Sequence, residues 1–159
     1  MDKLQNALKI AFASEFSFYL KAHNYHWNVT GPAFPQLHDL FGKIYEEVYG
    51  SIDDFAENIR KLNTFVPASH VKFSMLSRVE DETSVPDARD MLATLLSDSD
   101  RMVKLLKICF DLATQTGEEG LADFMAQRMD AHRKHSWMLR STIIWKSAQY
   151  TQKISANFG

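Results

Sequence analysis

The sequence predicts an all-α chain: a four-helix bundle with a short extra helix in the connector between helices two and three. Three observations predict it. Apolar residues recur at spacings of three and four along four long stretches, the period of a helix with one buried face. Helix breakers are scarce, with only 6 Gly and 4 Pro in 159 residues, so those stretches run uninterrupted. The 45% hydrophobic and 24% charged content is that of an ordinary globular domain, and the length suits one domain, residues 1–159, with a sizeable core.

The first helix is expected from about Lys3 to Trp27, with Leu4, Leu8, Ala11, Phe12, Tyr19 and Ala22 on its apolar face. Gly31 and Pro32 break it. The second runs from about Pro35 to Leu62 on the stripe Leu37, Leu40, Phe41, Ile44, Val48, Ile52, Phe55, Ile59 and Leu62. A connector from Asn63 to Val85 carries Phe73, Met75 and Leu76, enough for one short helix. Ser84-Val85-Pro86-Asp87 reads as a capping box opening the third helix, which continues through Met91, Leu95, Met102 and Phe110 to Gly117. Thr116-Gly117-Glu118-Glu119 reads as another, opening the fourth, which continues through Leu121, Met125, Leu139 and Ile143. From Gln149 the periodicity fades and a short C-terminal tail is expected.

The single Cys109 lies in a Leu-rich helical pattern, so a buried thiol is expected and an internal disulfide is excluded. No apolar run is long enough to span a membrane, and no secretory leader pattern opens the chain. A cytoplasmic, reducing compartment is the expectation. A formal net charge of −2 gives no general attraction to DNA or to anionic membranes.

The polar residues that invite chemistry are His26, His38, Asp53 and Glu57, since imidazole with carboxylate suits iron and accepts other divalent metals. Asp53 and Glu57 are one helical turn apart and share a face. His38, 15 residues before Asp53, lies broadly on that face but about 22 Å away along the axis. One metal cannot touch both within one helix. Two copies of the helix packed antiparallel about a two-fold axis near Glu46 or Glu47 would bring His38 of one against Asp53 and Glu57 of the other, twice per pair. No Glu is followed three residues later by His, so the usual intra-bundle di-iron pattern is absent.

These residues sit in a specific segment: His26-Trp27-Asn28-Val29-Thr30-Gly31-Pro32, then Phe34, Leu37-His38, Phe41, Tyr45 and Asp53-Asp54-Phe55-Ala56-Glu57. It resembles the signature of the Dps family of miniferritins, and the run from His132 to Arg140 is similar to that family's closing helix. The likeness spans about residues 8 to 145. It implies a hollow homododecamer whose ferroxidase centres lie at two-fold interfaces, with His26 and His38 from one subunit and Asp53 and Glu57 from its neighbour. There Fe²⁺ would be oxidised, usually by hydrogen peroxide, and Fe³⁺ stored in the cavity, limiting oxidative damage. Trp27 would lie beside the iron, and Glu118, Glu119, Asp123 and Asp130 near acidic pores.

Two departures stand out. The family commonly has Asp four residues after the second His, where this chain has Gly42, and often Arg where it has Asn58. Asp39 points about 100° away from the His38 direction and is a poor substitute; Glu46 is better placed to help through water. The first iron position is expected to survive and the second to be weak. The alternative reading is a structural shell or nucleoid-associated protein whose iron chemistry is weakened by Gly42. DNA binding is expected to be weak, because Lys3 is the only basic residue among the first eight and Lys146 and Lys153 the only ones in the last stretch. His23, His70, His132 and His135 receive no role, and Trp137 and Trp145 read as core or interface residues.

Overall fold

A computed structural model describes residues 1–157, with side chains described through Ile143. The helices are α1 Asp2–Asn28, α2 Phe34–Lys61, α3 His70–Leu76, α4 Ala88–Gln115 and α5 Glu119–Asn157. Among the described residues there is no strand, as the helical periodicity predicts.

Helix α1 is the centre of the packing: α2, α3 and α4 all lie against it, and α4 lies against α5. The predicted stripes form the core. Leu4, Leu8, Phe18 and Tyr25 of α1 are fully buried with Leu37, Phe41, Ile44, Phe55 and Ile59 of α2 and Met91, Leu92 and Leu95 of α4. Cys109 is buried among them, and burial pushes its thiol up to about 12. Between α2 and α5, long side chains do the bridging. Phe55 meets Phe124 edge-on at 5.7 Å, and Glu47 reaches Arg128.

The connector is pinned to α1 along its length. Phe73 of α3 stacks on Phe16 at 4.5 Å and meets Phe12 edge-on. The Arg78 N–H donates to Ser14 Oγ, and the Tyr25 hydroxyl donates to Glu82 at 2.7 Å. These contacts hold α3 over one side of α1 and leave the far ends of α1 and α2 to meet each other.

Both capping boxes are corrected. Helix α4 starts at Ala88, and its cap is Asp87, whose carboxylate accepts from the Asp90 N–H at 2.9 Å. Ser84 is not the cap: Val85 precedes a proline and is held away from helical geometry, so the helix begins only after Pro86. Thr116 ends α4 rather than opening α5. Its hydroxyl donates back to the Leu112 carbonyl. Gly117, at φ +73, closes the turn as the Glu118 N–H reaches the Ala113 carbonyl at 2.9 Å.

Helix α5 runs past Gln149 to Asn157, where periodicity alone led to an expected tail. No Gly or Pro lies between Gly120 and Gly159, so nothing in the chain stops the helix. No helix among the described residues is long and apolar enough to cross a membrane.

Candidate metal centre

His26 stands in the last turn of α1 and His38 in the second turn of α2. The link between them turns at Gly31, whose φ of +114 lies where side chains rarely go. The two imidazoles are thereby laid face to face, with centroids 3.7 Å apart and planes 21° apart.

Their hydrogen bonds are reciprocal. His26 Nδ1 lies 2.7 Å from the His38 carbonyl, and His38 Nδ1 lies 2.7 Å from the His26 carbonyl. A carbonyl only accepts, so each Nδ1 carries the proton and donates. Each Nε2 is left with its lone pair, unpartnered within the described chain. This is the state in which histidine ligates a metal, with the opposite ring edge anchored by the backbone.

Gly42 explains the close approach. A Cβ there would lie 3.1 Å from His26 Nδ1 and 3.2 Å from Cε1. Glycine at this buried helical position gives the ring its seat; the carboxylate expected four residues after His38 is absent because the ring takes the space.

Around the pair runs an aromatic wall. His23 is stacked between Trp27 at 3.7 Å and Tyr45 at 3.7 Å, and Tyr19 Oη lies 3.2 Å from its Nδ1. Burial, and then the neighbouring His26 imidazole, hold the His23 pKa below its ordinary value. Trp27 is 60% exposed, so it is a surface aromatic packed on His23. Trp137, also 60% exposed, is not a core residue of the chain; the side chain of Trp145 lies outside the described residues.

Asp53 and Glu57 are exposed on the second half of α2, without a hydrogen bond or ion pair within the described chain. Helix α2 is unbroken from His38 to Asp53, so the calculated separation of about 22 Å holds. A single chain therefore brings His26 and His38 together and keeps Asp53 with Glu57, but does not join the two halves. No group of three His, Cys, Asp or Glu among the described residues is arranged to hold a metal. Asp39 is taken up by an exposed ion pair with Lys43 at 2.7 Å, and the Asn58 amide donates to the Asp54 carbonyl. Asp123 and Glu118 border a surface hollow with Lys61 and Gln127. Asp130 and Glu119 are exposed, and exposed His70 opens α3.

A second polar cluster, which the sequence reading missed, lies inside the bundle. Glu15 of α1 accepts from Arg128 Nη2 at 2.6 Å and lies 2.7 Å from His132 Nε2. Glu47 of α2 accepts from Arg128 Nη1 at 2.6 Å and lies 2.8 Å from His135 Nε2. Burial alone would push the Glu15 carboxyl up; the charges and hydrogen bonds of His132 and Arg128 outweigh it and bring it down to about 2. Glu47 is likewise raised by burial but brought to about 2, chiefly by the hydrogen bonds from His135 and Arg128. His135 is held below its ordinary pKa by burial. Its Nδ1 is buried without a partner, an arrangement less costly for a bare lone pair than for an N–H. The signal was in the sequence: Glu15 falls on the stripe of Leu8, Ala11, Phe18 and Ala22, and Arg128, His132 and His135 fall on that of Leu121, Met125 and Leu139.

A family profile described as a ferritin-like domain matches residues 5–144. An uncharacterised low temperature-induced protein of Nostoc is 34% identical, over 87% of this chain and 78% of its own. A DNA protection during starvation protein of Brevibacillus brevis is 32% identical, over 77% of this chain and 83% of its own. Among solved structures, a Dps protein of Vibrio cholerae, described as a member of a broad superfamily of ferritin-like diiron-carboxylate proteins, superposes with a TM-score of 0.85. It is 29% identical, and the match covers 89% of each chain. With this fold, these matches and the paired histidines at the α1–α2 turn, the chain belongs to the ferritin-like family and, within it, to the Dps miniferritins.

Proposed function

We propose that this protein is a ferroxidase and iron store whose metal sites are each built from two copies of the chain. His26 and His38 of one copy and Asp53 and Glu57 of a neighbour hold Fe²⁺, and twelve copies enclose a cavity in which Fe³⁺ collects. The observation that carries the reading is the reciprocal Nδ1-to-carbonyl pairing of His26 and His38. It fixes both rings with an unprotonated Nε2, a geometry of no use to a merely packed histidine pair. Asp53 and Glu57, exposed and unpaired, supply the complementary half, and two imidazoles with two carboxylates suit Fe²⁺. The description of the Vibrio relative as diiron-carboxylate supports the same chemistry.

The reaction is a two-electron reduction of peroxide. Each of two Fe²⁺ ions gives one electron, the O–O bond breaks, and the two oxygens take up two protons and leave as water. Peroxide and Fe²⁺ are consumed together, so the one-electron reaction that yields hydroxyl radical is suppressed. With Gly42 seating His26, one iron is held by the four protein ligands and the second is held weakly, through water. The net charge of −2 lends no support to DNA binding as a primary role.

The test is anaerobic loading with Fe²⁺ followed by peroxide, with ferric absorbance followed against a His38→Ala/Asp53→Ala control. Rapid oxidation by the parent, lost in the control, with iron co-eluting with a shell-sized particle rather than an 18.3 kDa species, is the expected result. Oxidation no faster than in buffer, with the shell intact, would reject the ferroxidase and leave a structural shell protein.

A further inference from the structure

The hydrogen bonds of the interior network fix where its protons lie. His132 Nε2 faces the Glu15 carboxylate at 2.7 Å. A carboxylate accepts, so Nε2 carries a proton. On the far edge of the ring, Nδ1 lies 3.3 Å from Ser99 Oγ. The one hydroxyl proton of Ser99 goes to the nearer His132 carbonyl at 2.9 Å, so Ser99 Oγ is left to accept from Nδ1. Both ring nitrogens of His132 are therefore donors, the state of an imidazolium. Its charge and that of Arg128 balance the carboxylates of Glu15 and Glu47, and the buried network is neutral as a whole.

His135, three residues further along α5, is held in the other state. Its Nε2 donates to Glu47 at 2.8 Å, and its buried Nδ1 has no partner. A proton on Nδ1 would bury an N–H without an acceptor and add an unbalanced charge beside Arg128 and His132. The charged groups that face His135 are Glu47 from α2 and Arg128 and His132 from α5. Glu15 of α1 is engaged by Arg128 and His132. On α4, Asp98 is paired with Lys21 and Asp100 accepts from Ser136.

We propose that this network is a pH-sensitive lock holding α5 against α1 and α2, closed while His132 is charged and His135 neutral, and released when His135 Nδ1 takes a proton in mildly acidic solution. In the released form α5 has lifted far enough to bring Nδ1 to water. Burial holds the His135 pKa below 6.5 in the closed form, so release takes up one proton as pH falls through that value. The released population should rise about tenfold between pH 7.5 and 5.5. Glu15 and Glu47, brought down to about 2, stay ionised over that range in the closed form.

Cys109 reports the release, because it is the one thiol of the chain and is fully buried in the core. The experiment follows its labelling by dithiodipyridine in the full chain without added metal, so the outcome is independent of the proposed ferroxidase. Each rate is divided by that of the urea-unfolded chain at the same pH, which removes the thiol's own pH dependence. The parent should show the tenfold rise. His135→Gln, whose amide still donates to Glu47 but takes no proton, should show a flat profile. Ring-nitrogen NMR of the parent at the higher pH, which needs no variant to fold, should show His132 protonated on both nitrogens and His135 with a bare Nδ1. A flat parent profile, an equal rise in His135→Gln, a bare nitrogen on His132 or a protonated Nδ1 on His135 would each overturn the lock.

Discussion

The two histidine pairs of this molecule use the same side chain to opposite ends. His132 and His135 aim Nε2 at buried carboxylates at 2.7 and 2.8 Å, and the chain supplies its own cation there in Arg128. His26 and His38 spend Nδ1 on backbone carbonyls and keep Nε2 unpaired at a partly exposed surface. The interior pair closes a network; the surface pair leaves a valence open. The two pairs differ in which ring nitrogen the fold satisfies and in whether a cation is already present; the proposed role of His26 and His38 as ligands rests on that difference.

The largest expected effect distinguishes the two regions by activity. His38→Ala should drop peroxide-driven Fe²⁺ oxidation to the buffer rate while the helical circular dichroism and the particle size stay unchanged. The interior cluster should respond the other way. Glu15→Ala leaves Arg128 and His132 without their buried carboxylate and should cost about 3–5 kcal/mol in urea unfolding. An interior variant that unfolds like the parent would break the comparison.

Acid should act on the interior first. Glu15 and Glu47 are lowered from 4.5 to about 2, so their stabilisation is present above pH 4.5 and is lost as pH falls towards 2. His135, lowered from 6.5, binds its proton more readily unfolded, so stability starts to fall as pH drops below 6.5. Thermal midpoints should therefore decline gently below pH 6.5 and steeply below 4.5, and the steep phase should be blunted in Glu15→Gln. A flat profile from pH 5 to 3 would contradict the network as described.

Gly42 sharpens the surface half. Alanine there would gain up to ~1 kcal/mol of helix propensity, yet its Cβ meets the His26 ring at 3.1 Å. Gly42→Ala should show no net gain in thermal stability and slower Fe²⁺ oxidation, because the ring must shift. The smallest effect belongs to the exposed Lys43–Asp39 pair, with side chains 67% and 64% exposed. Lys43→Ala should change stability by less than ~0.5 kcal/mol.

The sequence made the helices legible because apolar period reports burial directly, as the stripes of α1, α2 and α4 show. It also placed His26, His38, Asp53 and Glu57 among candidate ligands. The stacked imidazoles and their reciprocal bonds were not legible, since they depend on the chain reversal at Gly31. Glycine at 42 read as a missing carboxylate, and only the ring lying over it shows why no side chain stands there. Glu15 and Arg128 were overlooked, and His132 was left without a role, because polar residues on an apolar stripe look like interruptions until their partners on other helices are seen. The capping errors at Ser84 and Thr116 came from matching residue types without the restriction imposed by Pro86 and the left-handed turn at Gly117.

The most direct test of the shared site is complementation. A His26→Ala/His38→Ala chain and an Asp53→Ala/Glu57→Ala chain are each expected to be inactive alone. Unfolded together in equal amounts and reassembled, they should regain about a quarter of the parent's Fe²⁺ oxidation rate, because a random two-fold pairing rebuilds one intact site in four. Mixed shells as inactive as either variant alone would contradict a metal site built from two copies of the chain.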